Sequence, residues 1–148
     1  MKNIDADLNK DVMALLSENE KIVFLKTLLR LSARDGHIDE AEIKHIKKTA
    51  QRYKVEDVKK IFENTTEDKL LFELKILKNR RAALELIKQM FCLGHADQDL
   101  SDEEILFISR VAKVLGIEEK KVEQISSWVI DYFILQEQSR MIFESEDM

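Results

Sequence analysis

A chain of 148 residues is one domain's worth and long enough to bury a core without a disulfide or metal staple. Apolar residues at 45% and charged residues at 36% exclude simple disorder, and the lack of proline with only three glycines argues against a turn-rich β architecture. The net charge of −5 lacks the cationic footprint of a nucleic-acid binder, and the single Cys92 has no partner for an internal disulfide.

Helix signals follow one another along the chain. Asp5 or Asp7 is placed to start a first amphipathic helix carrying Leu8, Val12, Leu15 and Leu16. Ser17-Glu18-Asn19-Glu20 is a capping box, with Ile22, Leu25, Leu28, Leu29 and Leu31 behind it at helical spacing. Asp39 to Glu42 forms a second box, stapled by Ile38 and Ile43, and its helix ends near Tyr53. A short helix over Val58–Phe62 and another from about Thr66 to Leu77 come next. Asn79 caps a very apolar helix through Ala83, Leu86, Ile87, Met90 and Phe91. Ser101 to Glu104 is a third box, and Gly116 is placed to close its helix in the left-handed conformation. The last helix runs from about Glu118 to Phe133 or beyond, ahead of an acidic tail at 140–148. The expected fold is an all-α single domain over 1–148, a bundle of about seven to eight helices.

Displacing the sequence by 62 residues lays Leu28–Asp57 over Met90–Glu119 without a gap. Identities fall at Leu31/Leu93, Asp35/Asp97, Glu42/Glu104, Ile43/Ile105, Ile46/Ile108, Ala50/Ala112 and Glu56/Glu118. Helical periodicity aligns apolar positions readily, but it does not also align Asp35 and Glu42 with Asp97 and Glu104. The chain therefore reads as two pseudo-symmetric helix-loop-helix repeats, one over about 18–62 and the other over about 80–135. The helices Ile22–Arg34 and Leu84–Ala96 are expected at the buried centre.

Each repeat has an acidic junction between its two helices. Asp35, Asp39 and Glu42 belong to the first; Asp97, Asp99, Asp102, Glu103 and Glu104 belong to the second. Oxygen donors at this density suit a hard divalent cation, Ca²⁺, Mg²⁺ or Mn²⁺. The second loop is the stronger candidate: Asp97, Asp99 and Glu104 as ligands with Asp102 or Glu103 assisting, and Asp35, Asp39 and Glu42 as the weaker set. Neither is an EF-hand. With Gly36 at position six and Glu42 at position twelve, positions one and three fall on Leu31 and Ala33, which carry no donor. The competing reading makes the same acids helix caps and dipole partners.

The stretch Leu31-Ser32-Ala33-Arg34-Asp35-Gly36 with Ile38 and Glu42, repeated through His95-Ala96-Asp97 with Leu100 and Glu104, resembles the tellurite-resistance TerB-like family over about residues 18 to 140. The resemblance implies an all-helical two-repeat bundle in which Asp35, Glu42, Asp97 and Glu104 match the acids proposed to bind metal. It also implies a non-enzymatic part in stress response or protein assembly. Gln98 stands where the motif has glycine, and Arg34 where a small residue is common, which sets the two loops apart.

No Gly-rich phosphate loop, nucleophile elbow or zinc-type His/Cys spacing is present, so neither catalysis nor an organic cofactor is expected. The cations from Lys44 to Lys60 read as a solvated face. Trp128, Tyr132 and Phe133 belong to the last helix, with Trp128 at least partly buried. Met141, Ile142 and Phe143 extend its stripe into a tail that is mobile or orders only against a protein partner or a second copy. An amino terminus without an apolar signal segment and the lack of a membrane span place the protein in the cytoplasm; peripheral membrane association stays open.

Overall fold

Several of the helices start where a short polar side chain takes up N–H groups that a first turn leaves over. The computed structural model describes residues 10–33, 38, 40–97 and 100–144, and all regular structure among them is helical. After α1 (Lys10–Ala14), Ser17 Oγ accepts from the Glu20 N–H at 3.2 Å, and the Glu20 carboxylate accepts from the Ser17 N–H at 2.9 Å. That closed box opens α2 (Glu18–Ser32). Next come α3 (Glu40–Arg52) and a 3₁₀ turn over Val58–Phe62. Thr66 Oγ1, 3.2 Å from the Lys69 N–H, caps α4 (Glu67–Glu73), which tightens into a 3₁₀ turn over Leu74–Ile76. Asn79 Oδ1 takes the Ala82 N–H at 3.0 Å and caps α5 (Arg80–Asp97). Ser101 and Glu104 close a box at 3.1 and 3.0 Å that opens α6 (Asp102–Val114), and α7 runs Glu119–Phe143.

Helices α3 and α6 end in the same way. In α6 the Ile117 N–H reaches the Ala112 carbonyl at 2.9 Å and the Gly116 N–H reaches Lys113 at 3.2 Å, a Schellman terminus with Gly116 at φ 74°. In α3, Val55 reaches Ala50 at 2.9 Å and Lys54 reaches Gln51 at 3.1 Å, with Lys54 at φ 59°. Every residue of the second set stands 62 positions before its counterpart, and the residue after each left-handed one, Val55 or Ile117, is buried. A second correspondence ties helix starts to these ends. The Glu18 carboxylate accepts the Glu56 and Asp57 N–H groups at 3.0 Å, while Arg80 pairs with Glu118 at 2.9 Å.

The core lies between α2 and α5. Phe24 and Leu25 on α2 and Leu86, Ile87 and Met90 on α5 are fully buried, each such side chain contributing roughly 1.5–3 kcal/mol from burial. Helix α2 also packs on α3, α4 and the 58–62 turn; α5 also packs on α1, α6 and α7. This is the central pair that the sequence led us to expect.

Two boundaries differ from expectation, and two expected helix starts cannot be compared. The start at Asp5 or Asp7 lies outside the described residues, as does Asp39, the expected cap of α3. The segment from 66 to 77 divides into an α-helix and a 3₁₀ turn. Residues 140–143, expected in the acidic tail, form the last turn of α7, because neither glycine nor proline interrupts the helix after Gly116. Helix α7 is about 37 Å long at ~1.5 Å per residue. Val129 is its buried anchor, Trp128 keeps 41% of its surface in solvent, and the end is bare, with Phe143 81% exposed. Among the described residues no helix is long and apolar enough to cross a membrane.

Candidate functional site

The second acidic loop joins α5 to α6 and is pinned on both sides. On the α5 side Gly94 leaves a hollow: a Cβ there would lie 2.0 Å from Leu100 Cδ2 and 3.0 Å from its Cγ. Leu100 therefore seats on the helix it has just left, and it packs against the core. On the α6 side the Ser101–Glu104 box fixes the chain entering the helix. Asp102 and Glu103 are exposed in the first turn, where the amino end of α6 favours negative charge. Glu104, half-buried, spends Oε1 on the Ser101 N–H.

The first loop is built differently at the matching positions. Ser32 replaces Gly94, and its hydroxyl lies 3.2 Å from the Leu28 carbonyl and 3.3 Å from Glu42 Oε2. Ile38, the counterpart of Leu100, is 45% exposed. At the position matching Gly94 the first repeat carries a side chain that bonds Glu42, and the residue matching Leu100 is exposed rather than seated. The substitution of serine for glycine separates the two junctions more directly than Arg34 or Gln98, the departures evident from sequence.

Of the proposed ligands, Asp35, Asp39 and Asp99 lie outside the described residues, and Asp97 is the last residue of α5, its side chain likewise outside. Glu42 sits on α3, whereas Asp102 and Glu104 share the first turn of α6. Among the described residues, no group of three or more His, Cys, Asp or Glu side chains could hold a metal ion. The donors that can be placed at the second loop are all oxygens, the chemistry a hard cation takes.

A family model described as "Tellurite resistance protein TerB" matches residues 27–127, well over half of the chain. The chain belongs to the TerB family. Comparison with curated proteins and with solved structures gives no match. The TerB match takes in both acidic loops and both Schellman termini, and it ends nine residues into α7 (Glu119 to Ser127), just before Trp128. It is narrower than the span of about 18 to 140 over which the motif resemblance was expected.

One feature of this TerB family member lay beyond the sequence reading. Glu85, at the position matching Val23, is fully buried on α5, with Lys88 Nζ at 3.0 Å, the Gln89 side-chain amide donating at 3.0 Å, and Arg81 at 4.0 Å. Its Oε1 has no hydrogen-bond partner. The Lys88 ammonium also lies 6.0 Å from the centre of the Trp128 ring, which stacks on Tyr132 at 5.7 Å. Lys88 thus joins a buried carboxylate on α5 to the aromatic face of α7. A glutamate on the apolar stripe of α5, with lysine three residues on, was the available signal. Cys92 is buried one turn beyond Lys88, and burial pushes its thiol up to about 11. The His95 ring lies 6.4 Å from Phe133, with Nε2 buried and unbonded.

Proposed function

We propose that this protein is a non-enzymatic, cytoplasmic accessory protein of stress response in the tellurite-resistance manner, whose second acidic loop takes up a hard divalent cation. The observation that carries the reading is the pinned loop. Leu100 seated at Gly94 and the Ser101–Glu104 box hold the two ends of a junction that places Asp102, Glu103 and Glu104 in one helical turn. Among the described residues, no cation is ion-paired with any of the three. Asp97, Asp99 and Glu104 would hold the ion with Asp102 assisting; Asp35, Asp39 and Glu42 form the lesser set, since Ser32 already engages Glu42. The bound cation would offset the repulsion among these carboxylates and fix the α5–α6 angle, making metal binding a change in the surface offered to a partner.

The test is thermal unfolding of chelator-stripped protein with Ca²⁺, Mg²⁺ and Mn²⁺. A cation at a hundredfold excess over its Kd stabilises the fold by about 2.7 kcal/mol. The Asp97→Asn/Glu104→Gln variant, which keeps a side chain able to close the capping box, should lose that rise. An undiminished rise in the variant moves the site elsewhere.

The bare end of α7 favours a second reading, a helical interaction module that works without metal. Exposed Ile134, Leu135, Met141, Ile142 and Phe143 support it. If no divalent cation raises the melting temperature of the parent, and removal of residues 140–148 changes its oligomeric state or partner capture, this reading stands.

A further inference from the structure

Among the described residues, several surfaces carry unusual side chains in the open. The outer face of α3 presents Lys44, Lys47, Lys48 and Arg52 with no large apolar residue exposed among them. The end of α7 presents large apolar residues but also Asp131, Glu137 and Glu144. Among the described residues, the corner made by α4 and the 3₁₀ turn after it combines exposed apolar side chains with several cations. Phe72 is 69% exposed, Ile76 is exposed four residues on, and Lys69, Lys75 and Lys78 of the same stretch are exposed as well.

The acids of this corner are neutralised from elsewhere. Arg110 of α6 holds Glu67 through two hydrogen bonds, and Lys26 of α2 reaches Glu73 at 3.3 Å. Asp68 remains exposed, in the first turn of α4 where the helix end offsets it. Lys69, Lys75 and Lys78 have no carboxylate within ion-pairing distance among the described residues. Lys75 instead lays its ammonium 5.0 Å from the centre of the Phe72 ring.

We propose that this corner docks the protein on an anionic lipid bilayer, with Phe72 and Ile76 entering the headgroup boundary and Lys69, Lys75 and Lys78 on the lipid phosphates. Two apolar side chains are too small a patch for the core of a stable protein interface, which gathers several buried anchors over ~1,000 Å² or more. A bilayer surface asks less: a few inserted apolar groups, ringed by cations whose long stems reach back to the headgroups. The Lys75 ammonium over the Phe72 ring is the arrangement that water leaves; at a bilayer the ring sinks and the ammonium stays at the phosphate level.

Co-sedimentation of the full chain with phosphatidylcholine vesicles, with and without phosphatidylglycerol, tests this. Binding is expected only to the anionic vesicles, weakening as salt rises, with a loss of about fivefold for each of Lys69→Gln, Lys75→Gln and Lys78→Gln. Phe72→Ser/Ile76→Ser should fold as the parent does, since both side chains are exposed, and should lose the vesicles. Lys44→Gln/Lys48→Gln/Arg52→Gln, which removes three cations from α3 where each lysine variant removes one, should bind as the parent does. The proposal fails if the parent does not pellet with the anionic vesicles at low salt. It also fails if the Phe72→Ser/Ile76→Ser variant pellets equally, or if the α3 variant loses as much as the lysine variants.

Discussion

Lys54 and Gly116 occupy the same place in two helix endings, 62 residues apart, and both adopt the left-handed conformation, at φ 59° and 74°. Glycine enters that region without penalty, whereas a side chain crowds its own carbonyl by roughly 1–2 kcal/mol. Lys54→Gly should therefore stabilise the protein by up to about 1 kcal/mol after the entropy that glycine adds to the unfolded chain. Gly116→Ala should destabilise by a similar amount, about 1 kcal/mol. Denaturant midpoints of the two variants check both signs.

The hollow at Gly94 predicts a coupled pair. Gly94→Ala drives a methyl group into Leu100 Cδ2 and should cost about 1–3 kcal/mol, the range for overpacking. In a Leu100→Ala background the same change should cost far less, so the two effects will not add. Metal titration of Gly94→Ala should also show a smaller stabilisation, because the loop loses its anchor.

Burial of Glu85 sets a third expectation. Lys88→Met strips the nearest cation from a carboxylate with no exposed surface and should cost about 3–5 kcal/mol, tempered by Gln89 and Arg81. Glu85→Leu/Lys88→Met removes both charges and should recover much of that loss. Thermal melts of the single and double variants decide it.

Glu18 supplies a pH dependence. Backbone N–H groups of Asp57 and Glu56 hold its carboxyl below the usual 4.5. A depressed folded pKa means that the stabilisation is complete above the unfolded value and is lost as pH falls through the folded one. Glu18→Gln should thus be less stable than the parent at neutral pH, and the gap should close in acid below 4.5. Melting temperatures across that range give the curve.

The helix starts were legible because their signals are local. Ser17 with Glu20, and Ser101 with Glu104, sit three residues apart, and the geometry of a first turn does the rest. Gly116 was equally plain, but Lys54 was not: lysine gives no sign of a left-handed backbone, and only its match to Gly116 marks it. The seat of Leu100 on Gly94 required the third dimension, since it depends on the loop folding back along α5. Glu85 was hidden for the opposite reason, a charged residue in a stripe scored for its apolar members. Among the candidate ligands, the sequence also names Asp102 and Glu104 as first-turn residues of α6, and there they stand.

The exposed end of α7 has a kinetic corollary. From Glu137 to Phe143 every residue is exposed, so its turns hold together through their own hydrogen bonds and the Glu137–Arg140 pair. An isolated segment of that length is marginal as a helix in water. Its amides should exchange with deuterium within moments, while those flanking Val129 exchange only as the bundle opens. The end of α7 is therefore a built-in reporter: slowed exchange there signals that something has covered it.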